Sequence, residues 1–148
     1  ATGKDPVYYS ALVVGYNGSL NVFDSTITSS GNGIATFPSG GTVNIYNSDV
    51  TILEDDIDSN VGYLIWARHE KSYDTFAWKD WCGSAIINVY SGSYSGEFKL
   101  TDNGQTSLNR IAAINIYGGT FDHDSSTYVA EGYIANQEDN LWIISTNQ

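Results

Sequence analysis

At 148 residues, 41% of them hydrophobic, the chain can fill one compact core but not two. Seventeen acidic residues against six basic ones leave a formal charge of -11, which repels nucleic-acid phosphate and anionic lipid and argues against both partners. No apolar run reaches the length of a membrane span, so no membrane insertion is expected.

The N-terminal Ala1-Thr-Gly-Lys-Asp-Pro6 has no signal-peptide core, and Ala1 is compatible with loss of an initiator Met or with cleavage of a leader. Ala11-Leu-Val-Val14 is the first strand-like run. Asn17-Gly18 after it is read as a turn rather than as the start of a glycosylation sequon. A cassette then recurs: Leu20-Asn-Val-Phe-Asp-Ser-Thr-Ile27, Val43-Asn-Ile-Tyr-Asn-Ser-Asp-Val50, Ile87-Asn-Val-Tyr-Ser-Gly-Ser-Tyr94 and Ile114-Asn-Ile-Tyr-Gly-Gly-Thr-Phe121. Its markers Asn21, Asn44, Asn88 and Asn115 lie 23, 44 and 27 residues apart. Taking 44 as two steps of 22 predicts one intervening copy that is degenerate or replaced by an insertion. A second strand type alternates with the cassettes at Ala11–Val14, Gly33–Phe37, Tyr63–Trp66, Glu97–Leu100 and Gly132–Ala135.

No stretch sustains a 3.6-residue apolar period, which removes crossover helices and leaves a coil of strands. The repeat predicts an all-β chain, a single domain over residues 1–148 folded as a right-handed parallel β-helix of about five rungs, with a cap over 122–148. An antiparallel sandwich would also have short strands, but it predicts no recurring cassette. Strand alternation sends Leu20, Val22, Val43, Ile45, Ile87, Val89, Ile114 and Ile116 inward, because the opposite parity would expose a strip of aliphatics. The outer face then carries the Asn row beside Phe23, Tyr46, Tyr90 and Tyr117. Contact between subunits is the favoured role for that aromatic strip. A polysaccharide surface and simple stabilisation of neighbouring rungs are the alternatives.

Residues 66–82 break the pattern. They hold Trp66, Tyr73, Phe76, Trp78, Trp81 and Cys82 where the missing copy is expected. Trp66, Tyr73, Trp78 and Trp81 are therefore the candidates for a sugar or a partner protein, against the plainer reading of a lid folded on the coil. The single cysteine, Cys82, cannot staple the chain to itself. Asp56, Asp58 and Asn60 alternate as in a calcium loop, but Gly62 falls one place late and Ala67 stands where the last ligand is needed. A solvated acidic turn is expected there, with no cofactor and no metal. The paired carboxylates that a β-helical lyase or hydrolase needs are not evident, and Asp122 and Asp124 around His123 are read as cap residues; no enzyme is expected.

Toward the end, Gly118-Gly-Thr-Phe-Asp-His-Asp-Ser-Ser-Thr-Tyr-Val-Ala-Glu-Gly-Tyr-Ile-Ala135, followed by Leu141-Trp-Ile143, resembles the C-terminal part of β-helical surface and virion proteins of Gram-positive gut bacteria and their phages. The match covers about 25 residues and departs where Asp124-Ser125 replaces the family's usual Asp-Pro. Ser126 to Glu131 is expected to form one helical turn, N-capped by Asp124 or Ser125, closing the end of the coil. The resemblance implies an extracellular structural or attachment protein displayed on a virion or a bacterial surface. Copies of itself or other surface proteins would be its partners, with a glycan-binding adhesin as the alternative.

Overall fold

Short aliphatic and polar alternations, cut every few residues by Gly, Ser, Asn or Asp, fold into strands of three to eight residues. The computed structural model describes residues 10–53, 62–70, 79–103 and 110–147. Sheet A contains β1 (Ser10–Val14), β4 (Asn32–Thr36), β7 (Tyr63–Glu70) and β10 (Glu97–Asn103). Sheet B contains β2 (Ser19–Phe23), β5 (Gly41–Tyr46), β8 (Ala85–Val89) and β11 (Ala112–Ile116). Sheet C runs β3 (Thr26–Ser29), β6 (Ser48–Ile52), β9 (Gly92–Ser95) and β12 (Gly119–Phe121), then continues into the hairpin β13 (Tyr133–Glu138) and β14 (Leu141–Thr146). From β1 to β12 each pairing joins a strand in parallel to the one three places further on. The protein is thus all β, built on parallel sheets.

Three features differ from the sequence reading. The 44-residue interval contains no extra copy in sheet B, because β5 pairs directly with β8 and Asn44 stands opposite Asn88. Each parallel ladder has four strands among the described residues, not five. The additional length falls between strands, at 53–62 and 71–84, where it leaves the register of the sheets intact.

Each cassette also bends into two strands that belong to different sheets. Asp24 and Asn47 make the bend with φ of 48° and 46°, a region that Asp and Asn tolerate better than most residues. Asn47 Nδ2 donates to Asp24 Oδ1 at 2.8 Å, and the Asn47 N–H donates to Ser91 Oγ at 2.7 Å. In the third copy Gly92 takes φ +121°, and a Cβ there would sit 2.0 Å from the carbonyl oxygen of Ser48. Only glycine lets the stacked corners approach so closely. Finally, Gly132–Ala135 is not a sheet A strand: β13 lies antiparallel to β14 at the end of sheet C.

The eight inward aliphatics reach the interior as alternation requires. Val43, Ile45, Ile87, Val89 and Ile116 are fully buried, and Leu20, on the edge strand β2, is half-buried. Ile34, Leu64, Ile65 and Ala67 meet them from sheet A, and Val50, Tyr94 and Phe121 from sheet C. Each such side chain contributes about 1.5–3 kcal/mol when fully buried, so the interior stack holds the strands in register.

The cap follows β12. Ser126–Tyr128 forms a single 3-10 turn, and Asp124 Oδ1 accepts the Ser126 N–H at 3.0 Å while Ser125 makes no side-chain cap bond. Val129 then bridges Ile116 in parallel and the Ala130 N–H donates to the Ile116 carbonyl at 2.9 Å, which covers the last edge of sheet B. Among the described residues no helix is long and apolar enough to cross a membrane.

Candidate functional site

Parallel in-register pairing turns the outward positions of sheet B into three rows. Ser19, Thr42, Ile86 and Ala113 form one; Asn21, Asn44, Asn88 and Asn115 form the next; Phe23, Tyr46, Tyr90 and Tyr117 form the third. None of these side chains is charged, on a chain carrying 17 acidic residues.

The Asn row is a continuous hydrogen-bonded ladder. Asn44 Nδ2 donates to Asn21 Oδ1 at 3.0 Å, Asn88 Nδ2 to Asn44 Oδ1 at 2.9 Å, and Asn115 Nδ2 to Asn88 Oδ1 at 3.0 Å. Each amide bonds its equivalent one strand away, which is possible only because the register never slips across the four strands.

The aromatic row is a stack. Ring centroids are 4.8, 4.7 and 4.9 Å apart from Phe23 to Tyr117, with interplanar angles of 7°, 4° and 8°. Rings lying side by side in one plane cannot come so close, so they overlap face to face with a lateral offset. Tyr133 closes the far end edge-on at 5.6 Å and 90°. Phe23, at the near end, is 57% exposed. The inner rings therefore cover each other's faces and leave little free face on which a sugar could lie flat. Burial, then the neighbouring phenols of Tyr46 and Tyr117, push the Tyr90 phenol above its ordinary value.

The Trp-rich segment divides differently from the sequence reading. Trp66, which the sequence sets both at the end of a strand and at the start of the irregular segment, is buried in β7: its Nε1 donates to Thr101 Oγ1 at 3.0 Å, and Lys99 Nζ lies 4.6 Å from its ring centroid. Arg68 stands 5.0 Å from the same ring. These contacts occupy Trp66 in packing. Trp81, in the 3-10 turn Lys79–Trp81 before β8, is 69% exposed, while its neighbour Cys82 is buried. Tyr73 and Trp78 lie outside the described residues, as do Asp56, Asp58 and Asn60. Ala67, the position at which that acidic loop would need its last ligand, is buried in the core.

A second cluster joins the cap to the sheets. Asp122 Oδ1 accepts the Gly96 N–H at 2.9 Å and lies 2.7 Å from His123 Nδ1, while Ser95 Oγ donates to Asp122 Oδ2. His123 Nε2 faces Glu97 Oε1 at 3.9 Å. Burial alone would raise the Asp122 carboxyl, but the hydrogen bonds from Ser95, His123 and Gly96 outweigh it and hold the group below the usual carboxylate range. The sequence shows Asp122 and His123 side by side. It gives no sign that Ser95, Gly96 and Glu97, some 26 residues earlier, complete the cluster through the β9–β12 pairing. Among the described residues no group of His, Cys, Asp and Glu is arranged to hold a metal ion. No protein-family model, curated protein or solved structure matches the chain.

Proposed function

We propose that the chain is a right-handed parallel β-helix of four stacked rungs that serves as a non-enzymatic structural module, extracellular on a virion or bacterial surface, associating with further copies of itself through the outer face of sheet B. The uncharged face carries this reading: three rows without a single Asp, Glu, Lys or Arg, on a chain of net charge -11. On a chain of this net charge, such a face lets two copies approach without setting like charges against each other. Its rigidity helps as well. Asn amides tied to one another and rings stacked on one another lose little freedom when a partner docks. The sequence resemblance at the C-terminal cap supports the place of display.

Light scattering after size exclusion tests the reading. Wild type should associate with rising concentration, and a Tyr46→Lys, Tyr90→Lys double variant should stay monomeric with its β-sheet circular dichroism unchanged. A variant that associates as wild type does would remove sheet B as the contact. The exposed Trp81 favours a second reading, attachment to a cell-surface glycan. A glycan array on which wild type and Trp81→Ala give the same signal would dismiss it.

A further inference from the structure

Beside the Asp122–His123 pair a pocket of about 240 Å³ opens between the start of β10 and the cap, lined by Glu97, Phe98, His123, Asp124, Thr127 and Tyr128. Its apolar part is an aromatic pair: Phe98 and Tyr128 stand 5.2 Å apart at 43°, both half-buried, with Phe121 packed beneath Phe98 at 5.5 Å. Its polar part is anionic. Glu97 is about half exposed, and Asp124 is held below the ordinary carboxylate value by its hydrogen bonds from Ser126. Asp122 adds a third ionised carboxylate behind the imidazole. The imidazole of His123 lies between two of the three, 2.7 Å from Asp122 and 3.9 Å from Glu97. The nearest base in sequence, Lys99, instead lies over the rings of Tyr63 and Trp66, at 5.0 and 4.6 Å.

We propose that this pocket binds a small organic ammonium group, its charge facing Glu97 and Asp124 and its carbon shell resting on Phe98 and Tyr128. A carboxylate rim beside aromatic rings favours a cation that also has apolar surface. A bare metal ion would lack contact with the rings, and a neutral guest of the same shape would gain nothing from the charge of Glu97 and Asp124. The volume suits a quaternary ammonium head group or an amino sugar, and the shared chemistry is the ammonium. This site lies at the cap, away from the sheet B face, and stands independently of self-association.

Ligand-observed NMR titrations on the full chain test it with three probes: choline, glucosamine at a pH where its amine is protonated, and 3,3-dimethylbutan-1-ol, the uncharged shape-mimic of choline. Choline or glucosamine should bind saturably while the neutral mimic does not; the tighter of the two identifies a head group or an amino sugar as the source. Glu97→Gln should weaken the bound ammonium about fivefold. Thr127→Lys, which places the protein's own ammonium at the rim, should abolish binding with an unchanged melting temperature. Equal binding of the neutral mimic, no saturable binding of either cation, or undiminished affinity in Glu97→Gln would each overturn the proposal.

Discussion

On the outer face of sheet B each side chain meets its own kind one strand away, Asn on Asn and ring on ring. Around Asp122 and His123 the partners are unlike and come from different elements: a hydroxyl from Ser95 in β9, a backbone N–H from Gly96 and a carboxylate from Glu97 in β10. A ladder of identical residues is written in the sequence as a repeat, and its energy grows with the number of strands. A heterogeneous cluster is written nowhere as a pattern and depends on which strands the fold happens to align. The first arrangement suits a rigid surface; the second suits recognition of one small group.

That contrast can be broken most forcefully from below. Ile87→Ala removes a fully buried side chain under the centre of sheet B and should cost about 3 kcal/mol in denaturant unfolding. The ladders should fail with it, since both rest on the register that this core holds. Tyr90→Ala should cost about 1.5–2 kcal/mol, because Tyr90 stacks on Tyr46 and on Tyr117. Phe23→Ala, with one stacked neighbour and 57% exposure, should cost less than half as much. Equal losses at the two positions would mean that stacking adds nothing beyond burial. The same logic applies to the amides: Asn44→Ala interrupts two ladder bonds and should cost about 1 kcal/mol, and Asn21→Ala, with one, about half of that.

The cap should behave otherwise, with an effect that depends on pH. Asp122 has a lowered carboxyl pKa in the folded chain. The stability it contributes is therefore fully present above the ordinary carboxylate value of about 3.9 and is lost as pH falls through the lowered folded value. Asp122→Asn should melt a few degrees below wild type near neutrality, and the two curves should converge in strong acid. A constant difference across pH would show that the carboxylate charge plays no part in holding the cap.

The legible part of this fold was the part that repeats. Alternation in the cassettes points Val43, Ile45, Ile87 and Val89 inward and sets Asn44 and Tyr46 on the opposite face, because strand geometry admits only two choices. The corner inside each cassette was hidden. It rests on left-handed backbone at Asp24 and Asn47, and a small polar residue in a strand-like run reads equally well as strand. The number of strands in each parallel ladder was overcounted because arithmetic on spacing treats 44 residues as two repeats, whereas chain added between strands need not disturb the register of the sheets. Trp66 was legible as the end of a strand but not as a packed side chain, because nothing local shows that β7 runs on to Glu70 and that Lys99 and Thr101 meet the indole from β10. The pocket at the cap needed Glu97 and His123 to meet across strands far apart in sequence, and no local pattern reports such a meeting.

The most direct test of the account is the concentration dependence of mass by light scattering, run at low and at raised salt. Association through an uncharged face on a chain of net charge -11 predicts a mass that rises with concentration. It should rise further when salt screens the repulsion between copies, and the rise should vanish in Tyr46→Lys, Tyr90→Lys. A wild-type chain that stays monomeric at every concentration and salt level would contradict it.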